Sequence, residues 1–214
     1  MMKHLATSAL LVAAACAAAP ASAQLAFGQM DTGLYLGGNV GWSRASVDQP
    51  TVPAGFAVTS FDKDENDAGF KAYGGYRFTR NLALEGGYAR LGKFGFNGTT
   101  APAATFANSF KVDGWFVDAV AMIPLQQGFT VLGRVGAYFN ELKTSPSATG
   151  PLTAGPGIKD RDTSLKLGLG AQYDLTPMLA VRAEWEHFRK IGDAATTGQS
   201  NINLLSLGML VKFQ

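Results

Sequence analysis

Cysteine occurs once, at Cys16, and histidine twice, at His4 and His187. Two of these three fall in a stretch that reads as a secretory leader. Lys3 gives it a positive start, Leu5 to Ala19 is apolar except for Thr7 and Ser8, and Ala21-Ser22-Ala23 is a small-x-small cleavage site. A membrane-anchor reading of this leader fails on its short, Ala-rich core. A lipoprotein reading fails because Ala13 stands where a large aliphatic residue is expected, three before Cys16. Cleavage near Ala23 divides the chain into a signal peptide, residues 1–23, and a mature domain, residues 24–214. That domain holds no cysteine and one histidine, His187. Disulfides, thiol chemistry and multi-histidine metal sites are thereby excluded.

Charge is also sparse, at 16% of residues, and it is balanced, with 18 basic against 16 acidic side chains. A nucleic-acid surface would need a concentrated basic patch. The mature chain has no run of about 20 apolar residues, so it has no helix with which to cross a bilayer. It has no GxSxG elbow and no phosphate-cradling loop. The acidic run Asp62 to Asp67 begins like a calcium loop, but Asp67 stands where the turn needs Gly and Tyr73 where the bidentate Glu belongs. No cofactor is expected.

What the sequence does have is glycine, 26 residues of it, and a period of two. Between Leu165 and Gly192, Leu165, Leu167, Leu169, Ala171, Tyr173 and Leu175 alternate with Lys166, Gly168, Gly170, Gln172 and Asp174. After Thr176-Pro177 the pattern restarts, with Leu179, Val181, Ala183 and Trp185 against Arg182, Glu184 and Glu186. Side chains alternate faces along a strand, so this is a hairpin with one apolar and one charged face. The same signature predicts strands over Thr32–Ala45, Ala68–Thr79, Leu82–Gly92, Val112–Ile123, Phe129–Leu142 and Asn201–Phe213. That makes eight strands. Turn-entry residues Tyr76, Ile123 and Tyr173 lie 47 and 50 residues apart, a repeated hairpin that grows an up-and-down barrel. Short turns alternate with four long segments, 46–67, 93–109, 143–161 and 189–200, which read as loops at the opposite end.

Two barrels fit the pattern: a soluble one with its apolar face inward, and a membrane one with that face toward lipid. Charge decides. The apolar face carries ionisable groups only at strand ends, such as Arg44, Arg90 and His187. The other face carries Lys71, Arg77, Arg134, Lys166, Arg182 and Lys212 with Glu85, Asp118, Asp174, Glu184 and Glu186. An Arg or Lys at the bilayer midplane costs roughly 2–4 kcal/mol, so these charges must face the lumen and pair there. Trp42, Tyr76, Phe78, Tyr88, Tyr173, Trp185 and Phe213 near strand ends suit the aromatic girdles of outer-membrane barrels. Asp113 falls on the apolar side by parity, so the lipid band ends near Trp115 or a bulge intervenes. The expectation is an all-β, eight-stranded antiparallel up-and-down transmembrane β-barrel in a Gram-negative outer membrane.

The pieces YLGGNVGWS, GYRFTRNLALEGGYARLG, VRAEWEHFRKIGD and LLSLGMLVKF, in this order and spacing, resemble the transmembrane domain of the OmpA-like outer-membrane proteins. The resemblance covers essentially all of the mature chain. It implies inward Glu and Arg residues that pair to block or gate the lumen, here Glu85, Arg134, Arg182 and Glu184. Val120 and Gln172 stand where a Lys and a Glu are expected in the best-known members, which implies a reduced network. It also implies that the closing strand is read by the barrel-assembly machinery, through Leu205, Leu207, Met209, Val211 and the penultimate Phe213. The peptidoglycan-binding domain that often follows such a barrel is expected to be lacking, since the sequence stops at Gln214.

The lumen candidates are therefore Glu85, Asp118, Arg134, Lys166, Arg182, Glu184 and Glu186. Phe116, Met122, Leu132, Tyr138, Phe188 and Leu210 add inward bulk, which favours a plug over a pore. Three functions are carried forward. The first is a structural, surface-interacting barrel whose partners are outer-membrane lipid or lipopolysaccharide and, through its loops, a host or envelope protein. The second is a small gated diffusion channel. The third is a lipid-modifying enzyme, for which His187 lacks an obvious Ser partner two residues away.

Overall fold

A computed structural model describes residues 32–46, 57–101, 104–150, 156–192 and 200–213. The leader and the tips of the long connections lie outside the described residues. Nine strands follow one another: β1 Gly33–Ala45, β2 Ala57–Asp64, β3 Asn66–Thr79, β4 Leu82–Ala101, β5 Ala104–Pro124, β6 Phe129–Thr149, β7 Lys159–Asp174, β8 Leu179–Ile191 and β9 Ser200–Phe213. Each pairs antiparallel with its neighbour in the order β2-β4-β3-β1-β9-β8-β7-β6-β5, and β4 pairs with β5 to close the ring. Eight strands make the barrel. The ninth, β2, runs along the outer half of β4, from Ala57↔Ala101 to Asp64↔Gly95, and only Glu65 separates it from β3.

Period-two alternation puts the apolar set outside. Trp42 is 76% exposed, Trp115 65% and Leu205 58%, alongside Leu36, Val40, Leu84, Ile123, Leu169 and Leu207. In water so much exposed apolar surface would be anomalous; against lipid it is the requirement. Along β5 the band runs from Trp115 to Ile123, nine residues, the length a tilted strand needs to cross the hydrocarbon.

Beyond that band three of the long segments differ from expectation. Ala57–Asp64 is a strand where a polar loop was expected; β4 and β5 continue to Ala101 and from Ala104; β6 and β7 continue to Thr149 and from Lys159. These extensions keep their ladders, down to Thr100↔Ala104 and Thr105↔Thr149. The segment 93–109 is thus largely hairpin, and the described parts of 46–67 and 143–161 flank it as β2 against β4 and the β6 extension against β5, a wall on one side of the ring. The fourth, 189–200, is strand to Ile191, and 193–199 lie outside the described residues.

The expected irregularity near Asp113 is a bulge in the facing strand. Register shifts at Leu91, between Arg90↔Asp113 and Gly92↔Val112. Gly92 takes φ +116°, a value that suits glycine. β3 leaves β4 here, and the Lys93 N–H donates to the Asp67 carboxylate at 2.6 Å instead of to a strand carbonyl. Parity flips across the bulge, so Arg90 and Lys93 both point out while Leu91 and Phe94 are buried.

Candidate functional site

Six strands supply carboxylates and cations to one level of the lumen. Inward parity brings Lys71 from β3, Glu85 from β4, Asp118 from β5, Arg134 from β6, Lys166 from β7, and Arg182, Glu184 and Glu186 from β8. Every one of these side chains is buried. Four cations face four carboxylates, so the belt is formally neutral.

Arg134 is its hub. Nη1 lies 3.0 Å from Glu85 Oε2, 3.3 Å from Asp118 Oδ2 and 3.3 Å from Glu186 Oε1, while Nη2 donates to Glu184 Oε1. Arg182 Nη1 reaches Glu85 Oε1 at 2.5 Å, and its Nε and Nη2 donate to Gln172 Oε1 at 3.2 and 2.9 Å. Lys166 Nζ bonds Asp118 at 2.7 Å and Glu186 at 2.8 Å. Lys71 Nζ bonds Glu184 and, at 3.0 Å, Glu186. Neutral groups complete the shell: the Tyr35 hydroxyl donates to Glu85 at 2.8 Å, and Asn39 Nδ2 to Glu184 at 2.9 Å. Lys166 also sits 3.7 Å from the centre of the Phe116 ring, a cation–π contact. Buried ions are tolerable only when paired and hydrogen-bonded, and here each has several partners.

The seven sequence candidates therefore meet in one cluster. Lys71, read only as inward, belongs to it as well. Tyr35, Asn39 and Gln172 were missed as ligands; their signal was the shared inward parity with the charges. Val120 is a buried apolar residue and Gln172 accepts from Arg182 without charge, so neither adds a charge to the neutral belt.

Above the belt, toward the long connections, the lumen is mainly apolar, with Ser43 and the hydrogen-bonded pair Asn140 and Ser164 as its buried polar side chains. Leu91, Val112, Tyr138, Phe188, Ile191, Ile202 and Leu204 are buried, with the Tyr138 and Phe188 rings edge-to-face at 4.9 Å. Below it, Lys212 pairs with Asp174 at 2.6 Å and Arg77 contacts Met122 Sδ at 3.0 Å. A cavity of about 30 Å³ remains at this mouth, lined by Tyr35, Arg77, Met122 and Arg182 among others. The acidic run that resembles a calcium loop is divided between β2 and β3, and among the described residues no grouping is arranged to hold a metal.

A ring of eight lipid-facing strands around a paired-ion lumen defines a small outer-membrane β-barrel. Residues 29–214 match the family described as the OmpA-like transmembrane domain, and the chain belongs to that family. It is similar to Outer membrane protein A of Shigella flexneri, 30% identical over 209 residues, which cover 96% of this chain and 55% of that protein. It is similar also to Outer membrane protein A of Yersinia pseudotuberculosis, 32% identical over 184 residues, covering 86% of this chain and 49% of that protein. The chain thus spans about half the length of these relatives. Its fold is that of Neisserial surface protein A, with a TM-score of 0.54 at 18% identity, over 84% of this chain and 97% of that one. The protein is accordingly placed in the outer membrane of Gram-negative bacteria.

Proposed function

We propose that the protein is a structural and surface-interacting barrel, closed along its axis, whose work lies on its outer wall and external segments. The neutral eight-ion belt carries this reading, because it fills the lumen at one level with paired side chains. An eight-stranded ring is only just wide enough for such filling, and the apolar layer above adds a second obstruction. In a planar bilayer the refolded mature barrel is expected to be silent, and Arg182→Ala to open at most briefly, because Arg134 still holds Glu85. Steady wild-type conductance would make the protein a small pore instead.

A gated diffusion channel is the second reading. It is favoured by the several carboxylates within reach of Arg134, which allow partner exchange without leaving a bare charge. Openings in the wild type that vanish in an Arg134→Met variant would support it. A lipid-modifying enzyme has less support: His187 has its Nδ1 2.8 Å from Asn203 Oδ1 and its ring stacked near Trp185. Loss of an envelope lipase activity in His187→Ala would revive that idea.

Export through the 1–23 leader with cleavage near Ala23 belongs to the same proposal. So does recognition by the barrel-assembly machinery of Leu205, Leu207, Met209, Val211 and Phe213, which lie exposed on the lipid face of β9. Lipid or lipopolysaccharide is the proposed partner of the wall, and a host or envelope protein that of its tips.

A further inference from the structure

Four lysines stand in one cross-strand row on the outer wall. Lys93 of β4 pairs with Lys111 of β5, Lys111 with Lys143 of β6, and Lys143 with Lys159 of β7. Adjacent strands lie about 4.8 Å apart, so each ammonium group has a like neighbour directly beside it. Like charges directly opposite one another destabilise a sheet. One row nearer the membrane, Arg90, Asp113, Glu141 and Arg161 are paired in the same way. One row nearer still stand Tyr88, Trp115 and Phe139, the upper aromatic edge of the lipid band.

The two carboxylates are already heavily shared. Glu141 binds Lys143 at 2.8 Å, Lys159 at 3.0 Å and Arg161 at 3.1 Å. Asp113 takes the Tyr88 hydroxyl at 2.6 Å and Lys111 at 3.6 Å. Hydrogen bonds from Lys143 and Lys159 hold the Glu141 carboxyl down at about 2, so it stays ionised at neutral pH. Six cations against two carboxylates leave four positive charges in excess on one outward patch. In the next row outward Gly95, Ser109 and Ser145 carry no charge, and the single acid of that row, Asp64 of β2 opposite Gly95, still leaves the cations in excess.

Depth identifies what offsets them. From Trp115 to Lys111 is four residues, roughly 13 Å along the strand and less along the membrane normal because the strand is tilted. With the reach of a lysine side chain, the row falls at the head-group layer beside the apolar band. The geometry points to a binding belt for the phosphate groups of the surrounding outer-membrane lipids, formed by Lys93, Lys111, Lys143 and Lys159 with Arg90 and Arg161. This rests on the membrane-barrel reading and gives its wall a specific ligand chemistry. The row's self-repulsion would then be the cost of a surface that is complete only in an anionic leaflet.

The test reconstitutes the whole mature barrel in vesicles of phosphatidylcholine alone, and of phosphatidylcholine with a minority of phosphatidylglycerol. Retained lipids are counted by native mass spectrometry, and thermal unfolding is followed by gel mobility. The barrel is expected to retain phosphatidylglycerol on the order of a hundredfold more strongly than phosphatidylcholine, and to unfold later in the mixed vesicles. The K93Q/K111Q/K143Q/K159Q variant is expected to lose that preference, yet to match or exceed the wild type in phosphatidylcholine, where its repulsion is relieved. A preference that survives in the variant, or its absence from the wild type, overturns the belt. Equal stabilisation by inorganic phosphate in phosphatidylcholine vesicles overturns the lipid as its source. Folded mobility of both proteins in both vesicle types separates any such failure from a failure of the barrel reading itself.

Discussion

Arg134 touches all four lumen carboxylates, so it is the residue whose loss leaves most charge unmatched. Breaking one partner of a buried ion pair typically costs about 3–5 kcal/mol. Arg134→Met is expected to lower the stability of the folded barrel by that order in urea titrations of vesicle-inserted protein. The double variant Arg134→Met with Glu184→Gln is expected to recover part of the loss, because neutrality returns. Among the described residues Lys166 has two ion partners, Asp118 and Glu186, so Lys166→Met is expected to cost less than Arg134→Met. Outside the membrane, Glu141 has a carboxyl pKa lowered to about 2 from its ordinary 4.5, chiefly by hydrogen bonds from Lys143 and Lys159. A folded pKa below the unfolded one gives stability that is present above about 4.5 and lost as the pH falls toward 2. Its size is small, since the group is solvent-exposed and screened. An acid titration of the β6–β7 extension by amide exchange is expected to show protection falling in that window, and Glu141→Gln to flatten it.

The strand pair β1–β3 shows how small residues make room for the belt. Tyr35 faces Gly75 and Tyr73 faces Gly37 across the ladder. A Cβ at Gly75 would lie 2.3 Å from the Tyr35 ring, and one at Gly37 2.5 Å from the Tyr73 ring. Each tyrosine therefore lies over a glycine, and Tyr35 in that pose reaches Glu85. Gly75→Val is expected to drive Tyr35 off Glu85 and destabilise the barrel by about 1–3 kcal/mol, the usual cost of overpacking; denaturant titration beside Tyr35→Phe measures it. Within the bilayer such elements were legible in the sequence, because one lipid face and one charged face enforce a period of two over nine or more residues. The wall beyond it was not. There both faces of the sheet meet water or partial cover, so Phe94, Phe96, Phe106 and Phe110 are interleaved with Gly, Thr, Ser and Asn and read as loop. The Leu91 bulge then shifts the parity of β4, which breaks the alternation where the extension begins. Of the belt, the charged members could be read from parity alone. Their pairing across the lumen, and the ligand roles of Tyr35 and Asn39, depend on how the ring closes, which no single strand encodes.

Ring and wall are separable by the way each is held. The ring closes where Leu82–Arg90 of β4 meets Asp113–Ala121 of β5, a seam that runs from below the belt to the upper edge of the lipid band. The wall is held by its own ladders and by an aromatic cluster of Phe61, Phe96 and Phe106, with centroids 5.7–6.5 Å apart. β2 has its sheet partners in β4 only at Gly95–Ala101, far from the ring's seam. Replacing residues 95–109 with a two-residue Asn-Gly turn between Phe94 and Phe110 removes those partners and leaves every lumen ion pair in place. The shortened protein is expected to insert and to keep its heat-modifiable gel mobility, with ring amides as protected from exchange as before. Amides of Ala57–Asp64 are expected to lose their protection. If the ring fails to close in this variant, the wall is part of the barrel's folding unit and cannot be read as a platform set on an independently stable base.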